Sequence, residues 1–123
     1  MQKENKTPKE CLEKLLPVQD ALDVLKGKWK IQIISVLIYY EECGFKQLQD
    51  NVKGITPKML SKELKELEIN LMVTRQVSET RPVTVRYQIT EYGKSVTPVI
   101  KALYYWGEQH RESIKASMRK ERG

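Results

Sequence analysis

The stretch GITPKMLSKELKELE, residues 54–68, decides how the rest of the chain is read. Thr56 offers the side-chain oxygen of a good N-cap, and Pro57 brings the fixed φ that suits a first helical position. Together they predict a helix from Thr56 to about Asn70. Leu60, Leu64, Leu67 and Leu71 recur at i, i+4, i+7 and i+11, within about 60° of one another around a helix axis, and predict a buried stripe. Lys58, Lys62 and Lys65 fall nearly opposite, with Ser61 on their flank. Glu63 and Glu66 are displaced to one edge, where pairing with Lys62 or Lys65 along the helix is expected. Such a helix is either an ordinary solvated element or a reading head for an anionic polymer. Its neighbours have to decide.

Upstream, Phe45, Leu48 and Val52 trace a short helix, FKQLQDNV, closed by Gly54. Before it, KWKIQIISVLIYY is apolar around most of its circumference, which marks a central helix from about Lys28, packed on several sides. EECG closes that helix, with Gly44 as the stop. Pro17 suits a helix start, and Val18, Ala21, Leu22 and Leu25 recur at helical spacing up to Gly27. Residues 1–10 read as a polar, frayed tail.

Downstream the apolar period changes from 3.6 to 2. VTRQVS predicts one strand. VTVRYQIT predicts a second, with Val83, Val85, Tyr87 and Ile89 on one face. ETRP is the turn between them, carrying Arg81 at its tip. Two strands alone are marginal, so this hairpin must lean on the helices. Thr90 caps a last helix that Pro98 should kink or restart. Val96, Ile100, Leu103, Trp106, His110 and Ile114 form a seam longer than one small domain needs, and a second copy of the chain is the expected cover. The final RKERG reads as a basic tail.

The fold class expected is mainly α with a small β-hairpin: a winged helix-turn-helix extended by N- and C-terminal dimerisation helices. The expected divisions are a polar extension over 1–15, the domain over 16–114 and a basic tail over 115–123. A length of 123 residues, 40% hydrophobic and 31% charged, suits one globular domain. The formal charge of +6 favours a polyanionic partner. Most of the excess lies from Lys94 onward, so any electrostatic footprint near residue 60 must come from the arrangement of charges on faces. There is no secretory h-region and no run of membrane-span length, so the cytoplasm is the expected location, with no membrane partner.

Two cysteines, Cys11 and Cys43, are too few for a disulfide framework, and one histidine, His110, argues against a zinc site or a metal-responsive repressor. The sequence has no Gly-rich phosphate loop and no Ser/His/Asp or Cys/His arrangement, so neither an enzyme nor a cofactor is expected. His110 and the aromatic run Tyr104, Tyr105 and Trp106 read first as packing residues, with a small effector pocket near a dimer interface as the alternative.

A helix-turn-helix lays its second helix in the major groove, with the N-terminal residues at the base edges. Here those residues are Thr56, Lys58, Met59, Ser61 and Lys62: donors for guanine and other bases, plus one apolar side chain for a thymine methyl. Lys65 is better placed for a phosphate. Arg81 at the wing tip suits the minor groove, and Arg75 and Arg86 on the strands are phosphate candidates. The rival is a winged-helix module for protein–protein contact, its lysine face meeting an acidic partner without sequence-specific DNA binding. Discrimination among duplexes separates the two.

Three segments, LPVQDALDVLKGKWKIQIISVL, FKQLQDNVKGITPKMLSKELKELE and VRYQITEYGKSVTPVIKAL, resemble in order and spacing the HxlR-type transcriptional regulators, winged-helix proteins related to the MarR group. The similarity runs from about residue 16 to 107. It implies a homodimer held by the first and last helices, with two recognition helices on a palindromic operator. It carries the recognition role onto Thr56, Pro57, Lys58, Ser61 and Lys62, and the wing role onto 79–84. It also implies that Lys28 and Trp29 fix the second helix, with Lys28 near phosphate. Dimer-interface candidates are Leu22, Ile100, Leu103, Trp106 and His110. Many members of the family carry a redox-sensing cysteine just before the proline that opens the first helix. This chain has Leu16 there, and Cys11 lies five residues earlier, the candidate if a thiol oxidant is the effector.

Overall fold

Thr7 opens the first helix. Its hydroxyl accepts the Glu10 N–H while the Glu10 carboxylate accepts the Thr7 N–H, a reciprocal capping box that starts α1, Pro8–Leu25. The computed structural model describes residues 7–122. Helix α2 spans Lys30–Tyr40, the three-residue strand β1 Glu42–Gly44, α3 Phe45–Asn51 and α4 Pro57–Ile69. Strands β2, Val73–Val77, and β3, Val85–Ile89, follow, then the single turn α5, Glu91–Lys94, and the long α6, Thr97–Arg122.

Several expectations need correction. The first helix begins nine residues before Pro17, because the Thr7–Glu10 box supplies a stronger start; Pro17 sits inside α1 at the cost of one backbone hydrogen bond. The part of the expected tail at 1–6 lies outside the described residues. The division at 15/16 thus falls within α1, and that at 114/115 within α6, which stays helical to Arg122. Gly44 does not stop α2. Glu41 does, with φ 68° and its N–H donated to the Leu37 carbonyl, while Gly44 caps α3 in an extended conformation.

Leu71 leaves the leucine stripe. Helix α4 ends at Ile69, Leu71 turns to φ 65° and is exposed, and Met72 and Val73 enter the core in its place. Residues 42–44 form a third strand that the sequence did not signal, being too short to show a period of 2. The sheet is antiparallel in the order β1-β3-β2, with Cys43 opposite Tyr87 and Arg75 opposite Tyr87 on the other side. Pro98 restarts the last helix, as expected, and Thr90 caps α5 by accepting the Gly93 N–H.

The core gathers on α2. Ile33, Ile34 and Leu37 are wholly buried, together with Leu48, Val52, Leu60 and Leu67. At about 1.5–3 kcal/mol for each fully buried aliphatic side chain, this cluster dominates the folding energy. Tyr87 and Ile89 bring β3 onto it, as the alternation predicted, whereas Val83 falls outside the strand and is exposed. None of α6's residues is buried within the chain, and Leu12, Leu15, Leu16 and Leu22 of α1 are likewise exposed.

Gly93 is demanded by packing. A Cβ there would overlap the Met72 carbonyl and the Ile89 side chain, because α5 crosses the start of β2 at backbone distance. Gly93→Ala is expected to cost about 1–3 kcal/mol, read as a lower urea midpoint at unchanged slope. Cys43 is fully buried and burial pushes its thiol pKa up, partly offset by the nearby Arg86 charge, while Cys11 is exposed. Iodoacetamide at neutral pH should therefore label Cys11 about a hundredfold faster than Cys43 in the native protein, with the difference lost in denaturant, as mass spectrometry would show.

Candidate nucleic-acid interface

Helix α4 is held at its start, along its floor and from one side. The Thr56 hydroxyl oxygen accepts the Met59 N–H at 3.2 Å, and the Thr56 carbonyl accepts the Leu60 N–H at 2.9 Å. Leu60, Leu64 and Leu67 are buried against the core. Thr56, Pro57, Lys58, Ser61, Lys62 and Lys65 are all exposed, and Met59 stands among them 39% exposed. The leucine floor and lysine roof are therefore both present, with the helix N-terminus open to an anion.

The third constraint was not read from the sequence. Lys30, on α2, is 3% exposed, and its ammonium donates to Glu63 Oε2 and, at 3.3 Å, to Glu66 Oε1. Burial pulls its pKa down, but the hydrogen bonds and charges of the two glutamates outweigh that, and the net shift is upward. The expected pairing of Glu63 and Glu66 within α4 is thus largely replaced by pairing across to α2. Only Lys62 retains a contact, at 3.9 Å from Glu66 Oε2. The signal in the sequence was a lysine opening a helix that is apolar around most of its circumference.

Among the strand candidates the sheet sorts Arg75 from Arg86. Arg75 lies opposite Tyr87, whose side chain faces the core, so it shares the α4 side of the sheet. It lines an open polar groove with Ser61, Lys65, Glu68 and Tyr87. Arg86 is one residue along β3 and points to the opposite face, where its Nε donates to Glu42 Oε1 at 2.8 Å. It closes β1 onto β3 and is not brought to the α4 face. Arg81 is exposed in the loop between β2 and β3, whose ends are tied by the Ser78 N–H to the Thr84 carbonyl at 2.9 Å. Lys28 stands over the Trp29 ring, 4.7 Å from its centroid, and Trp29 in turn packs beside Gly54 in the turn before α4.

The other candidates lie on a different surface. Leu22 and Leu103 line an apolar groove between α1 and α6 with Pro17, Val18, Ile31 and Val99. Trp106 and His110 stack further along α6, their rings 5.1 Å apart and 9° from parallel. Ile100 differs, being half-buried against the domain's own core. Among the described residues no group of three His, Cys, Asp or Glu side chains is arranged to hold a metal ion, and no helix is long and apolar enough to cross a membrane.

Known proteins match this arrangement in sequence and in space. The model of the HxlR-like helix-turn-helix family matches residues 24–115. The HTH-type transcriptional regulator YdeP of Bacillus subtilis is 36% identical over 101 residues, covering 80% of this chain and 76% of its own. YybR of the same organism, also described as an HTH-type transcriptional regulator, is 34% identical over 103 residues, covering 81% and 79%. The reduced form of the transcriptional regulator YodB from B. subtilis superposes with a TM-score of 0.70 at 35% identity, over 76% of this chain and 91% of that one. On these matches and the geometry they share, the chain belongs to the HxlR-like helix-turn-helix family and is a DNA-binding transcriptional regulator, not an enzyme.

Proposed function

We propose that the protein is a cytoplasmic repressor that binds a palindromic operator as a homodimer, with α4 in the major groove and the 78–84 wing on the flanking minor groove. The observation that carries this reading is the outward row Lys58, Ser61, Lys62 and Lys65 on a capped helix whose opposite face is locked to the core. Lysine ammoniums at the first turns reach guanine edges, and the Thr56 hydroxyl keeps its proton for an outside acceptor after its oxygen has capped the helix. Lys65, Arg75 and Ser61 surround one groove at the sheet side of α4, which suits a phosphate of the backbone flanking that groove. Lys28 meets phosphate near the α3–α4 turn. Arg81 is the wing's cation.

Dimerisation is supported by apolar surface that the monomer leaves open. Leu12, Leu15, Leu16 and Leu22 on α1, and Leu103, Trp106, Ile114 and Met118 on α6, are each about half exposed or more. Such surface on two adjacent helices marks an association face. YodB and HypR are solved in reduced forms and in diamide-treated or oxidised forms. By that likeness Cys11, exposed on α1, is the residue at which a thiol oxidant would act on this protein.

Selection of bound duplexes from a random pool at near-physiological salt tests the reading. A two-fold-symmetric motif is expected, and binding without sequence preference would leave the protein-contact module instead. On the selected operator, Lys58→Ala/Lys62→Ala should abolish specific binding with the dimer intact by scattering. Arg81→Ala should weaken binding and lower the salt slope by about one unit. Leu103→Glu should shift the protein from dimer to monomer in sedimentation, and operator affinity should fall with it.

A further inference from the structure

The helix read above as the DNA-reading element carries no net charge. Its segment PKMLSKELKELEI holds Lys58, Lys62 and Lys65 against Glu63, Glu66 and Glu68. A neutral helix gains little on approaching a phosphodiester backbone unless its carboxylates are kept from acting on that face. We propose that Lys30 sets the sign of the reading face: by holding Glu63 and Glu66 from behind, it leaves Lys62 free for DNA. This inference rests on α4 as the DNA-reading helix.

The geometry is one cation shared by two carboxylates. Lys30 Nζ touches Glu63 Oε2 and lies 3.3 Å from Glu66 Oε1, and the Lys30 side chain has almost no access to water. Glu66 is contested. Its other oxygen is buried, makes no hydrogen bond and sits 3.9 Å from Lys62 Nζ, one helical turn away on the exposed side. With Lys30 in place, Glu66 is bound inward and Lys62 keeps only a loose contact, its side chain 75% exposed. Without that cation, Lys62 is the nearest ammonium, and the i,i+4 spacing lets the pair close on the helix surface. A reading-face lysine would then be spent on Glu66 of its own helix, and the Glu63 carboxylate would stand uncompensated within a Debye length of the DNA. Lys30 touches no base or phosphate in this scheme. It is a positioning residue acting through Glu66 and Lys62.

The test is a set of variants on the selected operator, each checked for folding by urea denaturation. Lys30→Met keeps the buried stem and removes the charge. It should weaken specific binding about tenfold and lower the salt slope by about one unit as Lys62 is withdrawn. Glu66→Gln alone should change affinity little, whereas Lys30→Met/Glu63→Gln/Glu66→Gln should return it close to the wild-type value. The triple variant replaces the whole ionic cluster by neutral groups, so it stays informative should Lys30→Met fail to fold. A folded Lys30→Met protein with unchanged affinity and salt slope overturns the proposal. So does a folded triple variant that binds no better than Lys30→Met, or, where that protein does not fold, one that binds below wild type, since Lys30 would then act through packing. Wild type and Lys58→Ala/Lys62→Ala run alongside. If those two bind alike, the reading of α4 itself falls, and with it this inference; if they differ while Lys30→Met is unchanged, only the role of Lys30 falls.

Discussion

An ammonium group taken out of water has to be paired, and in this fold the pairing sets the rotation of one helix. Lys30 is buried on α2, as are Ile33, Ile34 and Leu37, and the carboxylates that answer it come from Glu63 and Glu66 on α4. Removing one partner from a buried ion pair costs on the order of 3–5 kcal/mol. Leucine burial alone would tolerate some roll of α4 about its axis, because a stripe of three leucines has a width. The ion pair does not tolerate it. Once the Glu63–Glu66 edge is turned toward α2, Lys58, Lys62 and Lys65 have to face solvent.

The wing depends on the same core through a different contact. Thr90 ends β3, donates its hydroxyl to the Leu71 carbonyl at 2.7 Å and accepts the Gly93 N–H, so one side chain joins the exit of α4, the sheet and the start of α5. The strand β1, with the Arg86–Glu42 pair across it, covers the other side of β3. A hairpin that would be marginal as two strands is thereby fixed as a three-stranded sheet against α2 and α4. Its loop can then carry Arg81 outward while Arg75 stays in the groove beside α4.

Outside this frame the chain exposes more apolar surface than one small domain should. The N-terminal half of α1 and nearly all of α6 project their leucines, Trp106 and Met118 without covering them. A second copy would bury both helices without moving α4, so on the proposed reading association and DNA contact use separate surfaces. Ile100 lies between core and seam, half-buried against the domain's own core on α6.

Much of this was legible from residue order. The Thr56–Pro57 cap, the leucine stripe, the lysine row, the alternation through Tyr87 and Ile89 and the restart at Pro98 are local patterns, set by spacing and backbone preference within one element. Local rules also explain the misses at either end, where the Thr7–Glu10 box outweighed Pro17 and the helix ran on to Arg122. What spacing could not supply was anything formed between elements: β1, three residues long and stable only because β3 lies beside it; Leu71, turned outward by the helix stop; Arg86, claimed by Glu42; and Lys30, whose partners are more than thirty residues away. The sequence by itself determined which elements form and which of their faces are apolar or basic, because those follow from period and propensity. Only the tertiary structure decided which charges are spent inside and which are left for a partner, because the pairing of a charge depends on what burial brings next to it.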